Sequence, residues 1–468
     1  MKDMTPYRTT LQHALTHALR YLEDLDRSPV APRASLAELR SRFVEKLPLQ
    51  GLPPDQVIAE LVHNAEDGVV GSAGGRFFGW VIGGSVPAAL AADWLTSTWD
   101  QNAALYAAGP AEAIIEEVCG MWLKELLGLP ATASFALVTG CQMAHVTCLA
   151  AARGFVLAQK NWDVEKQGLS GAPPIRIVAS DQKHGTIERA ARLLGLGTNS
   201  IVNLPVDGEG RLSAQTLEGA LTTDAPTIVV LQAGDLNIGA FDPFEELIPL
   251  AHHHGAWVHI DGAFGLWAAA SPEHAHLLKG AASADSWSTD GHKWLNVPFD
   301  SGYAFVAHPD SHRASTSYRA SYLVHDEVAR DPMDWTPEWS RRGRAVATYA
   351  AIRQLGRAGI SDLISRTCRH AKALVTRIGA LPGAELVWTP QINQGLVRYT
   401  DPKPGATDTD HDRRTDAVIE MVLRSGEAFF GGTTWRGKRC MRVSVCNWQT
   451  DENDVDRAVE AVRQALLR

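Results

Sequence analysis

The stretch TIVVLQAGDLNIGAFDPFEELIPLAHHHGAWVHIDGAF, residues 227–264, decides the fold class. It passes from an apolar strand-like run (227–234) through a helical segment (243–254) to a second strand-like run (256–264). Short apolar runs of this kind, separated by helices, mark strands that are covered on both faces. The alternation continues outward. SFALVTG (134–140), IRIVAS (175–180) and SGYAFVA (301–307) are strand-like, and 143–160 and 186–195 are helical. The pattern predicts an α/β fold with a mostly parallel sheet, whose ligands bind beyond the carboxyl ends of the strands.

Around that core the texture changes. Leu11, Leu15, Leu19 and Leu22 recur at helical spacing, and five prolines follow in 28–54. The segment 69–85 holds six glycines among aromatics and reads either as a loop over a ligand or subunit surface, or as a turn-rich connector. Beyond a helical stretch at 343–380 the chain reads as a smaller α+β unit. Its expected parts are an exposed loop at 400–416, a strand at 441–448 and a helix at 451–467. The expected organisation is an N-terminal helical segment (1–76), a large domain (77–345) and a small C-terminal domain (346–468).

With 468 residues, 45% hydrophobic and 21% charged, the chain has the composition of a folded globular protein, which excludes disordered and collagen-like classes. No apolar run reaches the length of a membrane span, and charge interrupts the first residues throughout, so a cytoplasmic location without membrane contact is expected. A net charge of −9 disfavours nucleic acid as a partner. Six cysteines without a C-x-x-C pair point to reduced thiols rather than a disulfide frame.

Three places carry chemistry. In SWSTDGHKW (286–294), Lys293 follows small and hydroxylated residues where the chain leaves the sheet, a setting in which a lysine can form a Schiff base with a carbonyl cofactor. Asp261 lies near the end of the 256–264 run, where a buried carboxylate requires a cationic or proton-donating partner. VTGCQ (138–142) ends one strand and opens a helix, a geometry that offers free N–H groups to an anion. The sequence contains neither a Walker loop nor a dinucleotide fingerprint at this turn. His252, His253 and His254, with His259 and Asp261, lack tetrahedral ligand spacing, so no metal is expected.

The blocks VTGCQMAHVTCLAAAR, SDQKHGTIERAARLLGLG, AGDLNIGAFDP, HIDGAFG and DSWSTDGHKWLNVPFDSG together resemble the pyridoxal-phosphate-dependent amino-acid decarboxylases, a family with the aspartate-aminotransferase fold. The resemblance runs from about Arg76 to the C-terminus. It implies pyridoxal 5′-phosphate as cofactor, α-decarboxylation of an L-amino acid to amine and CO2, and a homodimer with the active site at the interface. Lys293 resembles the cofactor-bearing lysine, with His292 on the phosphate side. Asp261 matches the partner of the ring nitrogen, and Ala263 and His184 match the residues packing the two ring faces. Gly140, Cys141 and Gln142 fall at the phosphate positions, with Thr289 and Asn237 as further cofactor contacts. Departures from the family pattern are Cys141-Gln142, where small residues are commoner, His145 in place of Asn, and Asp290, where Asn often stands.

Trp80, Ala104 and Tyr106 resemble the side-chain pocket and favour an aromatic or apolar substrate, whereas Arg76 nearby would favour an acidic one. Arg442 aligns with a carboxylate-binding arginine or serves a structural ion pair. Tyr322, 29 residues beyond Lys293, resembles the loop tyrosine that protonates Cα, with Tyr318 close by as the alternative. The resemblance leaves rival outcomes on the same cofactor: an oxygen-dependent aldehyde synthase, an aminotransferase or a carbon–carbon lyase. A cofactor-free scaffold subunit would show loss of Lys293, Asp261 or His184, and all three are present.

Overall fold

The computed structural model describes residues 4–44, 46–221, 224–318 and 329–468. Seven strands form the large sheet: β1 (Ser134–Val138), β2 (Arg176–Ser180), β3 (Ile201–Leu204), β4 (Thr227–Gln232), β5 (Trp257–Asp261), β6 (Ser286–Asp290) and β7 (Gly302–Val306). Their order is β1-β7-β6-β5-β4-β2-β3. Pairs β2/β3, β2/β4, β4/β5 and β5/β6 are parallel, while β7 runs antiparallel to both neighbours. Every residue of β4, β5 and β6 is buried, as expected for strands with helices on both faces.

β6 was not evident as a strand in the sequence, because SWSTD has the composition of a loop. It is tolerated in the core because its polar side chains are paired. Ser286 and Ser288 contact His259 and His145, while Trp287, on the opposite face, donates its indole N–H to the Ala281 carbonyl at 2.8 Å. Helix Cys141–Ala158 packs on this sheet. It is long and apolar enough to cross a membrane by composition, but most of it is buried inside the protein.

The helix Ala345–Gly379 is broken at Gly356, whose φ of 61° is left-handed, and it links two cores. Ala345 to Cys368 pack with the large sheet, and Ala371 to Ile378 pack against the second sheet, so the exchange of partners falls inside the helical segment. The second sheet is antiparallel, in the order β10-β11-β9-β8, from β8 (Ala384–Trp388), β9 (Gln394–Tyr399), β10 (Gly431–Trp435) and β11 (Lys438–Ser444). The expected loop at 400–416 is in part a helix, Asp408–Ser425. The polar run TDTD disguised a capping box, in which Thr407 and Asp410 satisfy each other's backbone N–H groups. Buried Arg398 then binds Asp408 and Asp412 on that helix, both at 2.9 Å.

The first three helices are Thr5–Asp24, Leu36–Phe43 and Pro54–Ala65, and none of them buries a residue. Leu11, Leu15 and Leu19 are 57%, 44% and 50% exposed. The apolar stripe read from the sequence therefore finds no cover within the described chain.

Candidate active site

Parallel pairing brings the ends of β5 and β6 to one edge of the sheet. Asp261 closes β5, Asp290 closes β6, and Lys293 lies on the turn that follows. Lys293 Nζ is 2.9 Å from Asp290 Oδ2. The other Asp290 oxygen accepts the Cys141 N–H at 2.6 Å and sits 3.5 Å from His292 Nε2. One carboxylate thus ties the lysine turn to the N-terminus of helix Cys141–Ala158. Burial by itself lowers the pKa of the Lys293 ammonium, but Asp290, aided by Cys141 and Asp261, outweighs that penalty and holds it above the ordinary lysine value.

The glycine-rich segment passes directly over this turn. Gly83 donates its N–H to the His292 carbonyl at 3.4 Å, and a Cβ at Gly83 would collide with the Lys293 carbonyl oxygen. Of its two readings, a loop packed over the site fits this close approach. Gly140 forms the floor opposite, where a Cβ would come 3.1 Å from His292 Cε1. His292 itself stacks on Phe299 with ring centroids 4.3 Å apart and accepts the Ser301 N–H through Nδ1.

Asp261 is buried. Its Oδ1 accepts the Ala263 N–H at 3.2 Å, and Oδ2 lies 3.6 Å from His145 Nε2. His184 caps helix Gly185–Leu193, with Nδ1 accepting the Thr186 N–H, so the neutral ring carries its proton on Nε2. Partial burial depresses the His184 pKa, Asp261 opposes the shift, and Lys293 and Arg442 reinforce it. His184 is thus electrostatically linked to Asp261, Lys293 and Arg442, and the Gln142–Thr186 hydrogen bond ties its helix to the one that opens at Gly140.

Several expected contacts are placed differently. Cys141 directs its thiol at His145 and Asp261, at 3.5 and 4.0 Å, and its N–H is held by Asp290, so neither group is free for a phosphate. Gln142 spends its side-chain N–H on the Thr186 carbonyl at 3.3 Å. Thr289 is fully buried against the Ala263 carbonyl, and Asn237 accepts from Thr433 Oγ1 at 2.7 Å, bridging to β10. Arg442 donates to the Leu236 carbonyl at 3.0 Å rather than to a carboxylate. Arg76 is no substrate selector: it is 2% exposed and donates to carbonyls of Asp26, Ser28 and Glu427. Ala104 and Tyr106 are tied to the 331–333 segment through backbone and Asp331 contacts. Trp80 is 59% exposed, with its ring beside Phe77 and Phe429. Tyr322 lies outside the described residues, and Tyr318 leans on Trp339 with ring centroids 5.7 Å apart.

The donor set fits pyridoxal phosphate. It comprises a primary amine on Lys293, a buried carboxylate on Asp261 and the first turn of an 18-residue helix opening at Gly140. From the sequence, Asp290 stands out only as a departure from the family pattern and Gly83 only as part of a glycine-rich run; the Asp-x-x-Lys spacing is the signal that points to the ion pair. A surface cleft of about 780 Å³ lies elsewhere, between Arg211, Phe244, Glu245, Lys279 and Lys372. It contains none of the convergent groups, so chemistry rather than volume locates the site.

Residues 37–400 match the family model described as the pyridoxal-dependent decarboxylase conserved domain. The aromatic-L-amino-acid decarboxylase of Bacillus atrophaeus is 27% identical over 93% of this chain and 90% of its own length. The 4-hydroxyphenylacetaldehyde synthase of Rhodiola rosea is 25% identical over 99% and 96%. The crystal structure of Oryza sativa TDC with PLP and tryptamine superposes with a TM-score of 0.93 at 23% identity, covering 100% of this chain and 98% of that one, which shows the shared fold.

Asp290→Asn removes the charge that keeps Lys293 protonated, leaving burial to dominate. The variant's lysine is expected to titrate at lower pH than in the wild type. Peptide mapping after pulse labelling of the cofactor-free protein with an amine-reactive reagent across pH reads this directly. A midpoint for Lys293 that does not move would separate Asp290 from the lysine's charge state.

Proposed function

Because this chain belongs to the pyridoxal-dependent decarboxylase family and is a pyridoxal-phosphate-dependent carboxy-lyase acting on an L-amino acid, we propose that Lys293, Asp261 and His184 are its catalytic residues and that its substrate side chain is aromatic. The observation that carries the reading is the convergence of Lys293, Asp290 and Asp261 at adjoining strand ends beneath the Gly83 segment. When bound, the cofactor supplies a ring that accepts the electron pair left as CO2 departs.

The residues divide the remaining work. Lys293 would hold the cofactor through its side-chain amine, beside Asp290. Asp261 keeps the ring nitrogen protonated through its buried charge, and Ala263 lies beside it on the same edge. His184, with its Nε2 proton turned from the helix cap, donates to the substrate carboxylate and orients it for loss. Gly140 and the positive end of the helix that follows it would hold the phosphate.

Support for an aromatic substrate comes from two placements. Arg76 is committed to backbone carbonyls, which removes the cation an acidic side chain would need. Trp80 adopts a φ of 47°, a left-handed conformation costly for a bulky residue, and displays its ring three positions before Gly83. A relative named for aromatic amino acids agrees with this. Assaying the twenty amino acids for CO2 and amine release, with Lys293→Ala as the inactive control of unchanged fold, tests both assignments. Release confined to acidic amino acids would reverse the substrate reading, and turnover by the alanine variant would remove Lys293 from the chemistry.

A homodimer in the cytoplasm completes the proposal. The exposed leucines of helix Thr5–Asp24 supply an unpartnered apolar stripe, and a second copy of this chain covers it in the proposed assembly. Replacing Leu15 and Leu19 by serine is expected to halve the mass seen in sedimentation and to lower activity. An unaltered assembly would place the interface elsewhere.

The remaining branch is the fate of Cα after CO2 is lost. Tyr322 supplies the proton in this proposal, and a positioned phenol acting as general acid contributes roughly 10²–10⁴-fold. Wild-type protein is expected to release amine and CO2 equally, without oxygen uptake, whereas Tyr322→Phe shifts the products to aldehyde, ammonia and peroxide. The same substitution at Tyr318 is expected to change little. Stoichiometric oxygen uptake by the wild type would place the chain instead with the aldehyde-forming relatives, of which the Rhodiola rosea synthase is one.

A further inference from the structure

Beside Asp261, on the face of the sheet that the helix Cys141–Ala158 covers, a line of buried polar side chains runs back along β5. His145 Nε2 faces Asp261 Oδ2 at 3.6 Å, and His145 Nδ1 lies 2.9 Å from His259 Nε2. His259 Nδ1 is 2.9 Å from Ser286 Oγ, which in turn accepts the Trp257 indole N–H at 2.9 Å. His145, His259 and Ser286 are each 0% exposed. Asp261, His259 and Trp257 belong to β5 and Ser286 to the adjacent β6, while His145 comes from the helix that opens at Cys141.

The donors can be assigned from the ends inward. His145 Nε2 stands 3.6 Å from Asp261 Oδ2, beyond hydrogen-bond length, and 3.5 Å from the Cys141 thiol; beside an ionised Asp261, the favourable tautomer is the one that turns an Nε2 proton toward that charge. His145 Nδ1 is then an acceptor, which requires His259 Nε2–H as donor. His259 Nδ1 in turn accepts the Ser286 O–H, leaving a Ser286 lone pair for the Trp257 indole, which only donates. In this assignment the three hydrogen bonds from Trp257 to His145 use one proton each, and their dipoles point toward Asp261. The opposite tautomers would aim an imidazole lone pair at the carboxylate.

We propose that His145 and His259 are positioning residues, a directed chain of neutral donors that fixes Asp261 as an ionised partner for the cofactor's ring nitrogen. This rests on the proposed role of Asp261. Neutrality is what makes the device useful. Burial pushes both imidazoles down to about 3, so they stay uncharged and leave the full negative charge of Asp261 for the ring nitrogen. A charged residue at 145 would instead cancel it. Ser288 Oγ, 3.2 Å from His145 Nδ1, steadies the same ring.

The test uses the cofactor-free protein and two ligands, pyridoxal phosphate and its analogue with carbon in place of the ring nitrogen. Wild type is expected to prefer the nitrogen-containing ligand, and Asp261→Asn to lose that preference. His259→Leu, with Asp261 intact, should reduce the preference about tenfold, the scale on which outer partners tune a site's first ligands. His259→Gln, which restores a donor near the Nε2 position, should recover most of it. In unmodified apoprotein, 15N spectra of labelled histidine should show both rings as Nε2–H tautomers, a readout independent of whether the leucine variant folds well. Nδ1–H tautomers, or a preference unchanged by His259→Leu while Asp261→Asn abolishes it, would overturn the chain alone. A preference that survives Asp261→Asn would overturn the Asp261 reading on which it stands.

Discussion

Two carboxylates sit at the ends of neighbouring parallel strands, and their electrostatics constrain everything built around them. Asp261 and Asp290 are 6% and 2% exposed, a placement that is expensive unless each charge is met by donors. Asp290 is met by the Lys293 ammonium and the Cys141 N–H, which joins the lysine turn to the head of a long helix. Asp261 has the Ala263 N–H and a neutral imidazole, which leave its charge uncompensated. Arg442 does not fill that role, since Asp235 offsets it nearby. Two carboxylates thus face one ammonium, and in the proposed assignment a protonated ring nitrogen is the cation that restores the balance.

That constraint explains why β6 has an unusual composition for a central strand. A row of Ser, Trp, Ser, Thr and Asp in a sheet otherwise rich in Val and Ile costs hydrophobic burial. The hydroxyls return that cost by satisfying histidines that apolar neighbours would leave with unmet hydrogen bonds. Glycine at 83 and 140 belongs to the same economy of space, because both positions lie where a methyl group would meet the lysine turn or His292.

The parallel sheet was legible in the sequence wherever burial on both faces left apolar runs, as in β1, β4, β5 and β7. β3 and β6 were not. β3 is four residues long and only partly buried, and β6 hides its pattern behind polar residues whose partners lie 27 to 143 positions away. The helix at 408–425 was obscured for a related reason: acidic residues look like a loop until the capping box and Arg398 are seen. Lys293, Asp261 and His184 could be singled out from local motifs, and the fold links them electrostatically. The supporting residues could not, because nothing near Asn237 or Thr289 in sequence announces Thr433 or the Ala263 carbonyl as its partner.

The position of His145 shows how a departure from a family pattern acquires meaning only in three dimensions. In sequence it is a histidine where a smaller amide is usual. In the structure it stands between a thiol, a carboxylate and a second histidine, with ligand atoms of Cys141, His145 and Asp261 all within 4.8 Å of one another. Those three groups are a conceivable cation site, but a cation there would need a bare His145 Nε2 and so would reverse every donor back to Ser286. It would also consume the charge of Asp261. The arrangement of β5 and β6 favours the other state, because the indole of Trp257 can only donate and Ser286 can pass that direction on. The strand pair therefore sets the polarity of the site from its core side, while the cleft side is left to the lysine turn and the helix that Asp290 holds together.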